Sequence, residues 1–203
     1  MTLKSRIDTT QRKFLKNTLG VTRSCPTPAV YGETGELPIS LKGYRLMLKY
    51  WHRVSNLPDY TLAKKALLEN VQLRTNWIKT VEKILGKFDL TDKIDKASVF
   101  ETSIKKELNT GFREYWKKSL AEQSLTRLKF YAKIKNTFEK ETYLSEISFD
   151  ERRNLTKLRC SDHRLEIEKG RHRGGKERSE RICKFCPSNV IEDEEHFIFV
   201  CNR

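Results

Sequence analysis

The sequence predicts a mainly α protein, an irregular helical bundle with a small cysteine–histidine knuckle at the C-terminal end. Apolar residues recur every three or four positions along most of the chain up to Leu158, the period of a helix with one buried face. Hydrophobic content is 37% against 33% charged, which supports a modest core and leaves much of the chain to solvent or a partner. Three of the five cysteines and one of the four histidines fall within the last twenty-one of 203 residues.

Taken in order, Phe14, Leu15 and Leu19 lie on one face of a first helix, and Gly20 is placed to end it. Cys25 to Pro38 is punctuated by proline and glycine, with tight turns expected at Gly32 and Gly35. Pro38 suits the first residue of a second helix, which carries Leu41, Tyr44, Leu48, Trp51 and Val54. Its opposite face is basic, with Lys42, Arg45, Lys49 and Arg53. Asn56-Leu57-Pro58-Asp59 breaks it. Leu62, Ala66, Leu67 and Val71 mark a third helix, and Trp77, Ile78, Val81, Ile84 and Leu85 a fourth, ended by Gly86. Asp89 to Lys96 reads as a polar loop.

The longest run follows, with Phe100, Ile104, Leu108, Phe112, Tyr115, Trp116 and Leu120, interrupted by Gly111. These aromatic stripes suit core packing better than base stacking. Leu125 to Phe138 mixes apolar and basic residues and leaves helix or strand open. Ser148 or Asp150 can cap a short helix bearing Leu155 and Leu158. Apolar residues nearly vanish from Arg164 to Arg181.

The chemistry sits at the end. Cys183, Cys186, His196 and Cys201 form a C-x2-C-x9-H-x4-C array. Thiolates and imidazole are the ligands of tetrahedral zinc, and the close cysteine pair lets two sulfurs address one ion. Four protein ligands leave no open position, so the pattern reads as a structural Zn2+ site that folds a segment too short to fold alone.

The net charge is +14 and the pI about 9.6. A polyanion is the natural partner, and no long apolar run points to a membrane. The basic segment holds Arg152, Arg153, Lys157, Arg159, Arg164, Lys169, Arg171, Arg173, Lys176, Arg178, Arg181 and Lys184, loosened by Gly170, Gly174 and Gly175. A flexible strip of this kind suits phosphate neutralisation of RNA or DNA, with affinity that falls with salt. The alternatives are a solvated linker or a nuclear-import patch. Phe185 is placed to stack on a base or to pack under the zinc. Glu192, Asp193, Glu194 and Glu195 would repel phosphate, so the nucleic-acid surface is expected away from them; their expected role is to orient His196 or neutralise nearby arginines.

Several function classes lack their residues. No two aspartates are adjacent to hold the paired metal ions of a polymerase. Pro58-Asp59 has no acidic-x-Lys partner of a restriction-like nuclease. Neither a Walker loop nor a Gly-x-Ser-x-Gly elbow occurs, and nothing in the pattern asks for a small-molecule substrate. A non-enzyme is expected. Met1 to Thr10 shows no apolar signal region, and five cysteines in a zinc pattern suit a reducing compartment, so nucleus or cytoplasm is expected over secretion.

A family resemblance runs along the same residues. Leu155-Thr-Lys-Leu-Arg159, His163-Arg-Leu-Glu-Ile-Glu168, Gly170-Arg171, Arg181-Ile-Cys183-Lys-Phe-Cys186 and Glu192-Asp-Glu-Glu-His196 to Cys201 resemble the C-terminal region of non-LTR (LINE-type) retrotransposon reverse-transcriptase polyproteins. Phe14-Leu-Lys, Leu19-Gly-Val21, Ala29-Val-Tyr-Gly-Glu-Thr-Gly35 and Leu37-Pro-Ile39 resemble the segment just after the polymerase palm. The order is collinear, the ends are specific, and Leu57 to Leu120 matches in helical character alone. Glu36 and Cys160 depart from the pattern, where basic and small polar residues are usual, and neither Cys160 nor His163 counts as a ligand.

The resemblance implies a thumb- or connector-like helical segment at 1–56, a helical linker region at 57–148, and a basic segment with the zinc knuckle at 149–203. It implies that Cys183, Cys186, His196 and Cys201 are the ligands. It further implies a non-catalytic fragment that grips template RNA or target DNA, with a polymerase partner in trans. The rival readings are a zinc-dependent protein-interaction or scaffold module and a non-functional transposon remnant.

Overall fold

The computed structural model describes residues 5–88, 90–91, 97–172 and 175–202. The chain is mostly helical (67%), with eleven α-helices and no strand among the described residues. It divides into two compact units. One comprises 1–8 and 37–115, the other 9–36 and 116–203. Asp89 and 92–96, where a polar loop is expected, fall outside the described residues.

The first unit contains α3 (Ile39–Ser55), α4 (Leu62–Gln72), α5 (Asn76–Lys87) and the first part of α6 (Ala97–Ser124). Pro38 caps α3 one position earlier than expected. Leu41, Leu48 and Val54 are buried along α3, and the buried His52 ring stacks on Phe100 at 4.4 Å. Val54, Leu67 and Ile78 form a small core edged by Trp51, Leu57 and Trp77. The Thr61 hydroxyl caps α4 by accepting from the Lys64 amide, so Pro58-Asp59 lies in the turn before a helix start.

The expected third helix forms as α4, with a single buried position, while the end of the fourth differs from the expected one. Leu62, Ala66 and Val71 of α4 are exposed, and Leu67 is its one buried residue, because α4 meets its neighbours along a single narrow face. Gly86 does not end α5: the helix runs on to Lys87, with Phe88 as its cap. Gly111 stays inside α6, where a Cβ would come within 2.9 Å of the Phe88 ring.

The second unit contains α2 (Thr27–Thr34), α7 (Lys129–Ile134), α8 (Tyr143–Glu146), α9 (Phe149–Arg159), α10 (Glu166–His172) and α11 (Glu194–Phe199). The boundary between the units falls inside α1 (Arg6–Leu19) and α6. Leu15 and Leu19 are buried, but Phe14 is 68% exposed, one helical step off their face. Gly20 has φ +67°; its amide donates to Asn17 O, and Val21 donates to Lys16 O, the double bond that closes a helix with a left-handed residue.

The expected turn at Gly32 is a helix instead. Gly32 lies inside α2 because the Tyr131 hydroxyl and Trp116 indole pack where its side chain would stand, with Trp116 Cζ2 3.0 Å from that point. Gly35 does make a turn, at φ +63°. Trp116 is buried, donates to Pro28 O at 2.8 Å and meets Phe138 edge-on. The aromatics Phe100, Phe112, Trp116 and Tyr131 are thus core residues. The undecided stretch contains the helix α7. Ser148, not Asp150, caps α9: its amide donates to Glu151 Oε2 at 3.1 Å.

The nearly apolar-free stretch from Arg164 also holds a helix, α10, whose buried Glu166 and Glu168 are paired with cations. No helix among the described residues is long and apolar enough to cross a membrane.

Candidate metal centre and basic groove

The knuckle is built by backbone pairing. Ile182 and Ile191 form an isolated antiparallel bridge, and the Cys183 amide donates to Val190 O at 2.9 Å. Asn189 turns the chain at φ +53°, which asparagine tolerates better than most residues. Asp193 caps α11 by accepting from the His196 amide at 3.0 Å, which sets the imidazole over the two cysteines. The Cys201 amide donates back to His196 O at 2.8 Å.

One ligand atom from each of Cys183, Cys186, His196 and Cys201 lies within 4.8 Å of the others. Cys183 Sγ is 3.9 Å from Cys201 Sγ, and Cys186 Sγ is 3.3 Å from His196 Nε2. A tetrahedron with zinc bond lengths places sulfurs about 3.8 Å apart and sulfur about 3.6 Å from nitrogen. The four residues therefore could hold a metal ion. The Phe185 amide donates to Cys183 Sγ at 3.4 Å. The Cys186 thiol is held down to about 6, first by the Ser188 hydroxyl and then by the Ser188 amide, with smaller help from Cys183 and His196. Cys201 is raised to about 11 by burial and by the neighbouring sulfurs.

Cys160 and His163 stand apart from this cluster, as expected. Cys160 is fully buried, and its thiol is pushed well above the usual range by a hydrogen bond with Cys25 and by burial. His163 Nε2 meets Glu194 Oε1 at 2.9 Å, while its Nδ1 accepts from the Leu165 amide.

Within the acidic run only Asp193 positions His196, through its backbone amide; the ring Nδ1 is buried without a hydrogen-bond partner. Asp193 is the cap, Glu194 binds Ser161 and His163, and Glu195 pairs with Lys133. Glu192 is 2% exposed: its carboxylate accepts from the Glu166 amide at 2.7 Å and lies 3.9 Å from Cys183 Sγ. Its carbonyl accepts from the Ile167 amide at 3.1 Å. Lys184 pairs with Glu166 at 3.1 Å, and Arg181 Nη1 donates to Ile167 O at 3.0 Å. The knuckle thus grips the start of α10.

The basic strip is largely ordered and internally engaged. Arg159 forks onto the fully buried Glu33 at 3.0–3.2 Å and reaches Glu141 at 2.9 Å. Burial opposes its charge, but those carboxylates win and raise its pKa. Arg152 lies over Phe149 and donates to Leu144 O. Arg171 pairs with Glu168 and donates to Thr126 O. Arg178 faces Asp193 at 3.6 Å, and Arg181 crosses Gly170 to Lys176 O and Ile167 O. Gly170 therefore packs rather than loosens, and Arg173 and Gly174 lie outside the described residues.

Arg153 packs its stem against Gly20, and Lys176 is exposed. Lys157, Arg164 and Lys169 instead converge. They line a groove of about 1,010 Å³ with Arg127, Asn154, His172 and Phe197. Arg164, Lys169 and Phe197 also border a second hollow that reaches Phe185 and Cys201 in the knuckle. Phe185 is 54% exposed. The carboxylates in the groove wall are engaged: Asp162 by Thr22 and Glu168 by Arg127 and Arg171.

Comparison with protein-family models, curated proteins and solved structures finds no match. The functional reading rests on the chain's own residues.

Sequence reasoning did not single out Arg127, His172, Phe197 or the joint made by Glu192. Arg127 donates to Ser24 O and Ser161 O and pairs with Glu168, bonds that span 34 to 103 positions. No local pattern announces them.

Proposed function

We propose that this chain is a non-catalytic nucleic-acid-binding piece of LINE-type reverse-transcriptase character, with Zn2+ held by Cys183, Cys186, His196 and Cys201. The observation that carries the reading is the groove in which Lys157, Arg164, Lys169 and His172 gather beside the knuckle. Lys157 and Arg164 have no ion-pair partner among the described residues, and the half-buried Lys169 has one long i,i+3 contact, at 3.6 Å, to Glu166, which Lys184 also holds at 3.1 Å. Cations of this kind are available to phosphates.

Zinc is the metal that suits three thiolates and one imidazole in a closed set. Its task here is structural: it fixes residues 182–201, which in turn hold α10 and Lys169 against the groove. RNA and DNA are both in scope as ligands, a polymerase in trans is the expected partner, and nucleus or cytoplasm the expected location. The absence of adjacent aspartates supports a role without polymerase chemistry.

The test is the salt dependence of single-stranded RNA binding by the zinc-loaded chain. Joint replacement of Lys157, Arg164 and Lys169 by alanine removes three phosphate contacts and flattens the log–log slope by about 2. An unchanged slope places the contact elsewhere. A protein-interaction reading also has a specific support, since Ile198, Phe199 and Val200 beside the ligands are 43%, 74% and 58% exposed. Absence of any RNA or DNA shift at low salt favours it.

A further inference from the structure

The first unit shows a surface that the nucleic-acid reading leaves unused. Leu46, Tyr50, Leu62, Val71 and Leu73 are each 45% to 85% exposed within 28 residues of chain. Single exposed apolar residues are ordinary, so a binding face needs a shaped site as well. Helix α4 makes the point. It has eleven residues and a single buried one, Leu67. A helix that short draws little stability from propensity and depends on packing, which here is incomplete.

The incompleteness has a shape. Between α3, α4 and α5 lies a groove of about 220 Å³. Tyr50 and Trp77 form its walls, edge to face at 6.1 Å, and Leu67 lies at its base. Ala63 and Ala66 leave it open, where larger side chains would have filled it. Asn70 is its one polar lining residue, and its amide nitrogen donates to Ala66 O at 2.7 Å. The space suits one aromatic or two aliphatic side chains offered from a helix.

Charge selects the occupant. The Arg53 guanidinium lies over the Tyr50 ring, 5.6 Å from its centre, at the edge of the groove. Residues 39–87 carry ten Lys or Arg against three Asp or Glu. A second copy of this chain would bring the same positive excess to the contact. A nucleic acid would find an apolar trough with no cation in its lining. We propose that this groove docks an acidic amphipathic helix of a partner protein, with an apolar side chain in the space lined by Ala63, Ala66, Leu67 and the Tyr50–Trp77 pair and its carboxylates toward Arg53.

The test is selection of random peptides of about sixteen residues, displayed on phage, against the full zinc-loaded chain at about 0.15 M salt. The expected winners are net acidic, with apolar residues spaced i, i+3 or i+4, and i+7. Their affinity falls about tenfold or more in the groove-filling variant Ala66→Trp. Arg53→Glu weakens the same peptides and is rescued by exchanging their acidic residues for lysine. Amide exchange in α4 slows on binding.

Ala66 is exposed, so the variant is expected to keep its fold; Ala63→Arg serves if circular dichroism shows that it does not. No enrichment over the starting library overturns the proposal. So do basic winners, or winners held equally well by both groove variants. An RNA of about twenty nucleotides whose affinity falls about tenfold in Ala66→Trp would assign the face to nucleic acid and overturn it as well.

Discussion

Replacing Glu192 by alanine separates metal binding from the shape of the groove wall. Its carboxylate lies beside Cys183 Sγ but is not a ligand, and it accepts the Glu166 amide at 2.7 Å at the start of α10. That amide is buried, so deleting the acceptor leaves a donor without water or partner. A hydrogen bond to a charged acceptor in such a place contributes about 2 kcal/mol, which is about thirtyfold in a local opening equilibrium. Hydrogen exchange on the zinc-loaded protein is the assay. Amides of Glu166 to Lys169 should exchange about thirtyfold faster in Glu192→Ala, with metal stoichiometry unchanged. Glu192→Gln keeps an acceptor oxygen and should restore most of the protection. Exchange in Glu192→Ala that matches the parent protein would refute the joint between knuckle and helix.

The remaining predictions concern stability. Gly32→Ala places a methyl against the Tyr131 hydroxyl and within 3.0 Å of the Trp116 ring, both buried, and should destabilise by about 1–3 kcal/mol in urea denaturation. Gly86→Ala meets nothing within 4 Å inside α5 and should stabilise by about 0.5–1 kcal/mol in the same assay. Arg159→Met strips the charge partner from Glu33, which is 0% exposed, and should cost about 3 kcal/mol or more; Glu33→Gln in the same chain should recover part of the loss. Burial pushes the Glu194 carboxyl up, but bonds to His163 and Ser161 outweigh it and hold it below its usual value. A depressed carboxylate stabilises the fold above about pH 4.5 and loses that contribution as pH falls through its lower folded value. Thermal melts should show His163→Phe weakening the protein near neutral pH, with the deficit shrinking below pH 4.5.

The cysteine–histidine cluster was legible because its information is local in sequence: four donors at short spacings, with Asn189 and Asp193 supplying the turn and cap. The helices with a clear apolar stripe, such as that of Ile78, Val81, Ile84 and Leu85, were legible for the same reason. Helix α10 was not, since its buried positions include Glu166 and Glu168, which pattern reasoning assigns to solvent. Their burial is licensed by Lys184, Arg127 and Arg171. Gly32 looked like a turn because the rings that need its missing side chain lie about a hundred residues away. Arg159, Arg171 and Arg181 read like Lys157 and Arg164 in the sequence. Only folding shows that the first three hold Glu33, Glu168 and Ile167 O while the others face a groove.

Metal content bears most directly on the account. Protein purified under reducing conditions should contain about one zinc per chain, and Co2+ exchanged into the site should give the intense visible absorption of tetrahedral thiolate coordination. Cys183→Ser should shift that spectrum and weaken retention against a chelator. Protein that is folded and reduced, yet carries no metal and takes up no Co2+, would contradict it.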